Sequence, residues 1–188
     1  MSGDAPLPGW YGKLPSLGDF ATRRLPPLFV DPWDRWLATG MAAWRDADSD
    51  WLDAFLAAPT WRFALGAGIP FAASPGYAGI LMPSVDRVGR YFPLTIARPR
   101  GPRETAVPAA WLEAVEDVAI AALDEDWSAE RLDDALAGIS ASGGTERSWP
   151  ESGTTLWWCE RRGEGSRQAT TQGLPGDETL TRLLAGRL

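Results

Sequence analysis

Apolar residues recur along this chain at two different spacings. Trp33, Trp36, Leu37, Met41 and Trp44 follow the helical period, and Asp31-Pro32 before them supplies a capping carboxylate and a proline suited to the first helical position. A helix is expected from that point. A shorter one is expected from Asp50, carrying Trp51, Leu52, Phe55 and Leu56 and stopping before Pro59. The period then shortens. Trp61, Phe63 and Leu65 alternate with Arg62 and Ala64, as in a half-buried strand. Gly79–Met82 and Tyr91–Ala97 are short apolar runs joined by the charged segment Pro83–Arg90, which reads as two neighbouring antiparallel strands. Trp10–Leu14 reads as a first strand, ended by Pro15 and Gly18.

Beyond the Pro- and Arg-rich connector Pro99–Pro108, the helical pattern returns. Leu112, Val115, Ala119, Ala122 and Leu123 form a dry face opposite Glu113, Glu116, Asp117 and Asp124. Ser128 is expected to cap a further helix with Leu132, Leu136 and Ile139. Ser140–Gly153 reads as a mobile loop, Thr154–Glu160 as a strand, and Ser166–Gln172 as its hairpin partner. Asp177 is expected to cap a closing helix with Leu180, Leu183 and Leu184, ended by Gly186. Trp157-Trp158 puts one ring on each face of its strand: one in the core, the other covered by a helix or exposed for a partner. The element order predicts a single α/β domain over residues 9–188, after a flexible segment 1–8. Its largely antiparallel mixed sheet is expected to be sandwiched between helices, as a three-layer α/β/α arrangement.

Composition adds constraints. The 188 residues are 45% apolar and include 11 tryptophans, enough to bury a well-packed core. The net charge of −7, with basic residues only in short mixed stretches such as Arg98–Arg103 and Arg161–Arg167, argues against binding nucleic acid or an anionic membrane surface. One cysteine, Cys159, excludes an internal disulfide and suits a reducing compartment. No signal-type leader and no membrane-length apolar run is seen, so a cytoplasmic location is expected. Arginine outnumbers lysine 17 to 1, and His and Asn are absent, as a GC-rich genome would produce.

The chemical consequences hold whatever the cause. Without histidine, Ser-His-Asp and Cys-His catalysis and ordinary zinc sites cannot be built within this chain. Gly12-Lys13-Leu14 does not fit a phosphate loop. Asp19 and Asp86, each in a Gly-flanked loop beside a strand, are the candidates for a carboxylate acid–base pair or a magnesium site; the alternative is that each orders its own loop. Lys13, the single lysine, marks either a site preferring a compact ammonium or a packing stem with its head in water. Arg23 and Arg24 read as an exposed face. No enzyme and no cofactor is expected; binding to other proteins is.

Three blocks carry a family resemblance. The first is Gly9-Trp10-Tyr11-Gly12-Lys13-Leu14-Pro15-Ser16-Leu17-Gly18-Asp19-Phe20, with Arg24-Leu25-Pro26 and Trp33-Asp34-Arg35-Trp36-Leu37 following. The second is Gly79-Ile80-Leu81-Met82-Pro83-Ser84-Val85-Asp86-Arg87-Val88-Gly89-Arg90-Tyr91-Phe92-Pro93-Leu94, and the third is Leu156-Trp157-Trp158 with Gly173-Leu174-Pro175. Together they resemble the TagF (ImpM) family, accessory proteins of the bacterial type VI secretion system. The resemblance implies a cytoplasmic regulator rather than an enzyme. Such a regulator would repress secretion after translation by engaging the forkhead-associated protein Fha. It also implies an α/β sandwich with an antiparallel sheet between helices.

The family motifs fall on Lys13, Asp19, Arg24, Asp86, Arg87 and Arg90, with no catalytic role attached to them. The Gly12–Asp19 and Ser84–Arg90 loops are expected to lie together as a charged patch, internally salt-bridged or facing a partner. Charge reversal at Asp86 and Arg87 is then expected to weaken Fha binding and leave the fold intact. Two other classes stay open: a scaffold component of the secretion machine, and a small-molecule-sensing domain or carboxylate-dependent hydrolase.

Overall fold

The computed structural model describes residues 6–140, 147–161 and 165–188. The flexible segment expected at 1–8, the loop expected at Ser140–Gly153 and the basic stretch Arg161–Arg167 each lie partly outside the described residues.

The chain runs β1 (Gly9–Gly12), β2 (Ala21–Arg23), α1 (Pro27–Ala47), α2 (Trp51–Leu56), β3 (Trp61–Leu65), β4 (Tyr77–Met82), β5 (Leu94–Pro99), β6 (Ala106–Val107), α3 (Ala109–Asp124), α4 (Ala129–Ala137), β7 (Arg147–Ser148), β8 (Thr154–Arg161), β9 (Gly165–Gln172) and α5 (Asp177–Leu184). Among the described residues, seven strands form one sheet in the order β2-β1-β5-β4-β3-β8-β9, and every neighbouring pair is antiparallel. The expected three-layer sandwich is present, and its sheet carries no parallel pair. The short β6–β7 pair lies apart from it.

Alternation along each strand divides the core in two. Tyr11, Phe63, Leu81 and Trp157 point to one side, where they meet Phe29, Trp33, Leu37 and Met41 of α1, Phe55 of α2 and Leu180 of α5. Trp10, Ala64, Ile80 and Trp158 point to the other, against Leu112 and Val115 of α3 and Leu132 of α4. Both rings of the Trp157-Trp158 pair are therefore core, one per layer. The aromatic side also satisfies its polar atoms. Trp33 Nε1 donates to Thr95 Oγ1 at 2.8 Å and Trp61 Nε1 to the Leu183 carbonyl at 2.8 Å. On α1, Gly40 lets α5 approach: a Cβ there would lie 2.2 Å from Leu180 Cδ2.

The start of α1 differs from expectation. The helix begins at Pro27 rather than at Asp31-Pro32, and Pro32 sits inside it. Phe29 is the reason. It lies one turn before Trp33 on the same stripe and is fully buried, stacked on Trp33. The carbonyl that Pro32 leaves without a partner belongs to Leu28, an exposed residue, where water can satisfy it. The closing helix begins one residue earlier than expected too: Gly176 is its N-cap and Asp177 its first residue. Ser128 caps α4 as expected, accepting from the Arg131 N–H.

Candidate functional site

The sheet brings the two charged loops together. β1 pairs with β5, Tyr11 opposite Thr95, so the chain leaving β1 at Lys13 runs beside the chain entering β5 at Pro93 and Leu94. Gly12 makes that approach possible. Its φ is +134°, and a Cβ there would lie 2.3 Å from the Pro93 carbonyl oxygen. Two hydrogen bonds then fasten one loop to the other: Ser84 Oγ donates to the Lys13 carbonyl at 2.7 Å, and the Arg87 N–H donates to the Leu17 carbonyl at 2.8 Å.

Asp86 organises the second loop and clamps the first. Its Oδ1 accepts from the Val88 and Arg90 N–H groups at 3.1 and 2.9 Å, and Gly89 closes the turn at φ +83°. Its Oδ2 accepts from Lys13 Nζ and Arg90 Nε, each at 2.7 Å. Lys13 and Asp86 are each only 3% exposed. Burial by itself would push the Asp86 carboxyl up. The bonds from Lys13, from the Arg90 main chain and side chain, and from Val88 outweigh it and hold the carboxyl well below the usual carboxylate range.

This geometry decides between the alternatives for Asp19, Asp86 and Lys13. Four donors occupy the Asp86 carboxylate, leaving no lone pair for a proton transfer or a magnesium ion. Asp19 is largely exposed, accepts from its neighbour's N–H (Phe20, 2.8 Å), and meets Arg90 at 3.7 Å; the Arg90 guanidinium stands between the two carboxylates. Asp19 and Asp86 therefore each order their own loop and do not form an acid–base pair. Lys13 is a buried ion-pair partner rather than a stem with its head in water. Its ammonium also lies 4.1 Å from the Phe20 ring centroid, a place suited to a compact cation.

The expectation that charge reversal at Asp86 leaves the fold intact needs correcting. A cation at 86 would face buried Lys13 with no compensating anion. Arg87 is different: it is exposed, lying over Gly18 on the outside. Arg24 lies away from the other five motif residues. It takes the left-handed backbone (φ +59°), donates through Nε to the Pro8 carbonyl at 2.6 Å, and pairs through Nη2 with Asp133 of α4 at 3.1 Å. Trp10 Nε1 donates to the same carboxylate at 2.7 Å. Arg24 thus ties the β1–β2 edge to α4.

The clamp is one wall of a groove of about 590 Å³. Phe20, Trp51, Tyr91 and Phe92 supply rings, and Asp34, Arg45 and Arg90 supply charge. Phe20, Tyr11 and Phe92 pack on one another, with Phe20 and Phe92 centroids 4.9 Å apart, edge to face. Tyr11 donates its hydroxyl to Asp34. Burial pushes this phenol well above its usual range, and the Asp34 hydrogen bond adds to the effect. Sequence reasoning missed Phe20, Asp34, Arg45 and Trp51 as groove residues. Trp51 and Phe20 were simply apolar positions, and Arg45 carried no local signal.

The family model described as the TagF N-terminal domain, type VI secretion system-associated, matches residues 9–139 and so spans both clamp loops. The chain belongs to this TagF family. The crystal structure of PA0076 from Pseudomonas aeruginosa PAO1 is similar over 95% of this chain and 94% of that one, with 34% identity and a TM-score of 0.78. That similarity extends past residue 139, into the β8–β9 hairpin and α5, where the Trp157-Trp158 and Gly173-Leu174-Pro175 elements lie. No curated protein matches the chain. Among the described residues of this TagF domain, no helix is long and apolar enough to cross a membrane.

Proposed function

We propose that this TagF domain is a non-enzymatic, cytoplasmic regulator of type VI secretion that represses assembly after translation by binding the forkhead-associated protein Fha. Family membership supports the system. One observation supports a contact role: Phe20 and Val88 are among the few large hydrophobic side chains exposed, at 44% and 64%, and both sit on the clamp loops beside Asp19, Arg87 and Arg90. Exposed apolar anchors ringed by arginines, on loops held rigid from below, suit protein recognition.

The test is co-purification from the native bacterium with the wild-type chain and with Arg87→Glu/Val88→Asp, alongside secretion of the system's own substrates. The expected result is that Fha is captured by the wild-type chain and lost with the variant, with secretion rising accordingly. Capture of baseplate or sheath proteins without Fha would replace the regulator reading with the scaffold one. Unchanged capture by the folded variant would remove the loops from the interface.

A further inference from the structure

We propose that the groove beside the clamp receives an acidic segment of a partner protein, one carboxylate on Arg45 and an adjoining aromatic or large aliphatic side chain on the ring-lined floor. This rests on the reading of the chain as a binding protein and names the chemistry of what it binds.

The charge of the lining supplies the first half of the match. The charged groups lining the groove are Lys13, Arg45 and Arg90, with Asp34 as a carboxylate that accepts the Tyr11 hydroxyl. Lys13 and Arg90 are already committed to Asp86. Among the described residues Arg45 pairs with no carboxylate. Its guanidinium lies over the Trp51 ring, 4.7 Å from the centroid, and one Nη2 donates to the Tyr91 carbonyl at 3.2 Å. Those two contacts orient the group, and among the described residues its remaining donors make no hydrogen bond. An oriented guanidinium with open donors on an aromatic platform matches a carboxylate in two-point geometry.

Shape supplies the second half. The groove volume, about 590 Å³, falls in the range of pockets that enclose a side chain and its neighbours rather than a single ion. Its apolar elements come from different parts of the chain: Phe20 from the first loop, Tyr91 and Phe92 from the second, Trp51 from α2, and Met41 from α1. These rings leave one apolar surface beside one open cation. A purely hydrophobic ligand would leave Arg45 desolvated and unpaired, and a basic one would be repelled by it.

The probe is a short dye-labelled peptide alternating glutamate and phenylalanine, compared with its lysine-for-glutamate counterpart by fluorescence anisotropy. Two variants accompany it: Arg45→Glu, which reverses the open cation, and Ala38→Trp, which fills the groove from an exposed position on α1. Both are checked for an unchanged melting temperature. The expected result is binding of the acidic peptide only, weakened about tenfold or more by either variant. The proposal is overturned if the acidic peptide does not bind, if both peptides bind alike, or if the folded variants bind as the wild type does. Fha capture is measured in parallel. Fha capture that survives while the peptide arms fail sinks the groove assignment and spares the regulator reading. Peptide binding as expected, with no Fha capture and no effect on secretion, does the reverse.

Discussion

The inner and outer halves of the motif loops use the same charged residue types for opposite ends. Inside, Lys13 and Asp86 are buried and paired with each other, and the four hydrogen bonds that Asp86 accepts hold two loops and the end of a strand in one geometry. Outside, Asp19, Arg87 and Arg90 lie at the surface with Phe20 and Val88. Arg90 joins the halves: its Nε reaches the buried carboxylate while its Nη2 reaches the Gly18 carbonyl and approaches Asp19. The contrast teaches that charge in a motif says little about exposure. A buried ion pair is sensitive to the loss of either partner, whereas a surface charge is worth little to stability and is free to serve recognition.

The largest expected effect breaks the inner half. Asp86→Ala strands the Lys13 ammonium and the Val88 and Arg90 N–H groups. The melting temperature should fall by roughly 10 °C or more, and a shift of only a degree or two by thermal denaturation would contradict the clamp. Gly12→Ala should also destabilise the domain, here by steric clash, because its Cβ would run into the Pro93 carbonyl at a backbone φ of +134°. Lys13→Met should cost less than Asp86→Ala, since Asp86 keeps Arg90. Lys13→Arg should also lower the melting temperature although it keeps the charge, because a planar fork does not fit the place of a compact ammonium over Phe20.

A middle-sized effect comes from pH. The Asp86 carboxyl titrates lower in the folded chain than in the unfolded one. Its contribution is therefore fully present above the unfolded value of 3.8 and is lost as pH falls through that value towards the folded one. Urea titrations between pH 6 and about pH 3 should show wild-type stability declining at the acid end. The same decline should be shallower in Asp86→Ala; parallel curves would show that the clamp is not the titrating element.

The smallest stability effects should lie on the outer half. Arg87→Glu should move the melting temperature by no more than about 2 °C, yet reduce Fha capture. Gly18→Ala should be equally mild, because its added Cβ meets only the movable tip of Arg87 at 3.3 Å. A large loss of stability from either one would erase the distinction between the halves.

Much of the architecture was legible because it depends on local periodicity. The Trp33–Trp44 stripe, the alternating Trp61–Leu65 segment and the paired Trp157-Trp158 each announce an element and a face. Three short strands were not legible. β2 is three mostly polar residues, and β6 is two residues inside a Pro- and Arg-rich connector. β7 is two residues in the segment Ser140–Gly153, which reads as a mobile loop, and it pairs with β6. All three exist only because a partner strand lies alongside. The early start of α1 was missed because Pro32 is a strong local stop signal that the tertiary burial of Phe29 overrides. At the site, the proximity of the two loops could be expected from their motifs, whereas the separation of Arg24 and the presence of the groove could not.

Sequence alone determined the sandwich class, the family, the lack of histidine chemistry and the two charged loops that carry the family motifs. Each of these follows from residue identity or short-range spacing. Tertiary structure alone decided that Lys13 and Asp86 face inward, that Arg90 bridges inside to outside, and that Arg45 stands open over Trp51. Burial and pairing are properties of what distant segments bring to the same place, and Lys13 and Asp86 are 73 residues apart in the chain.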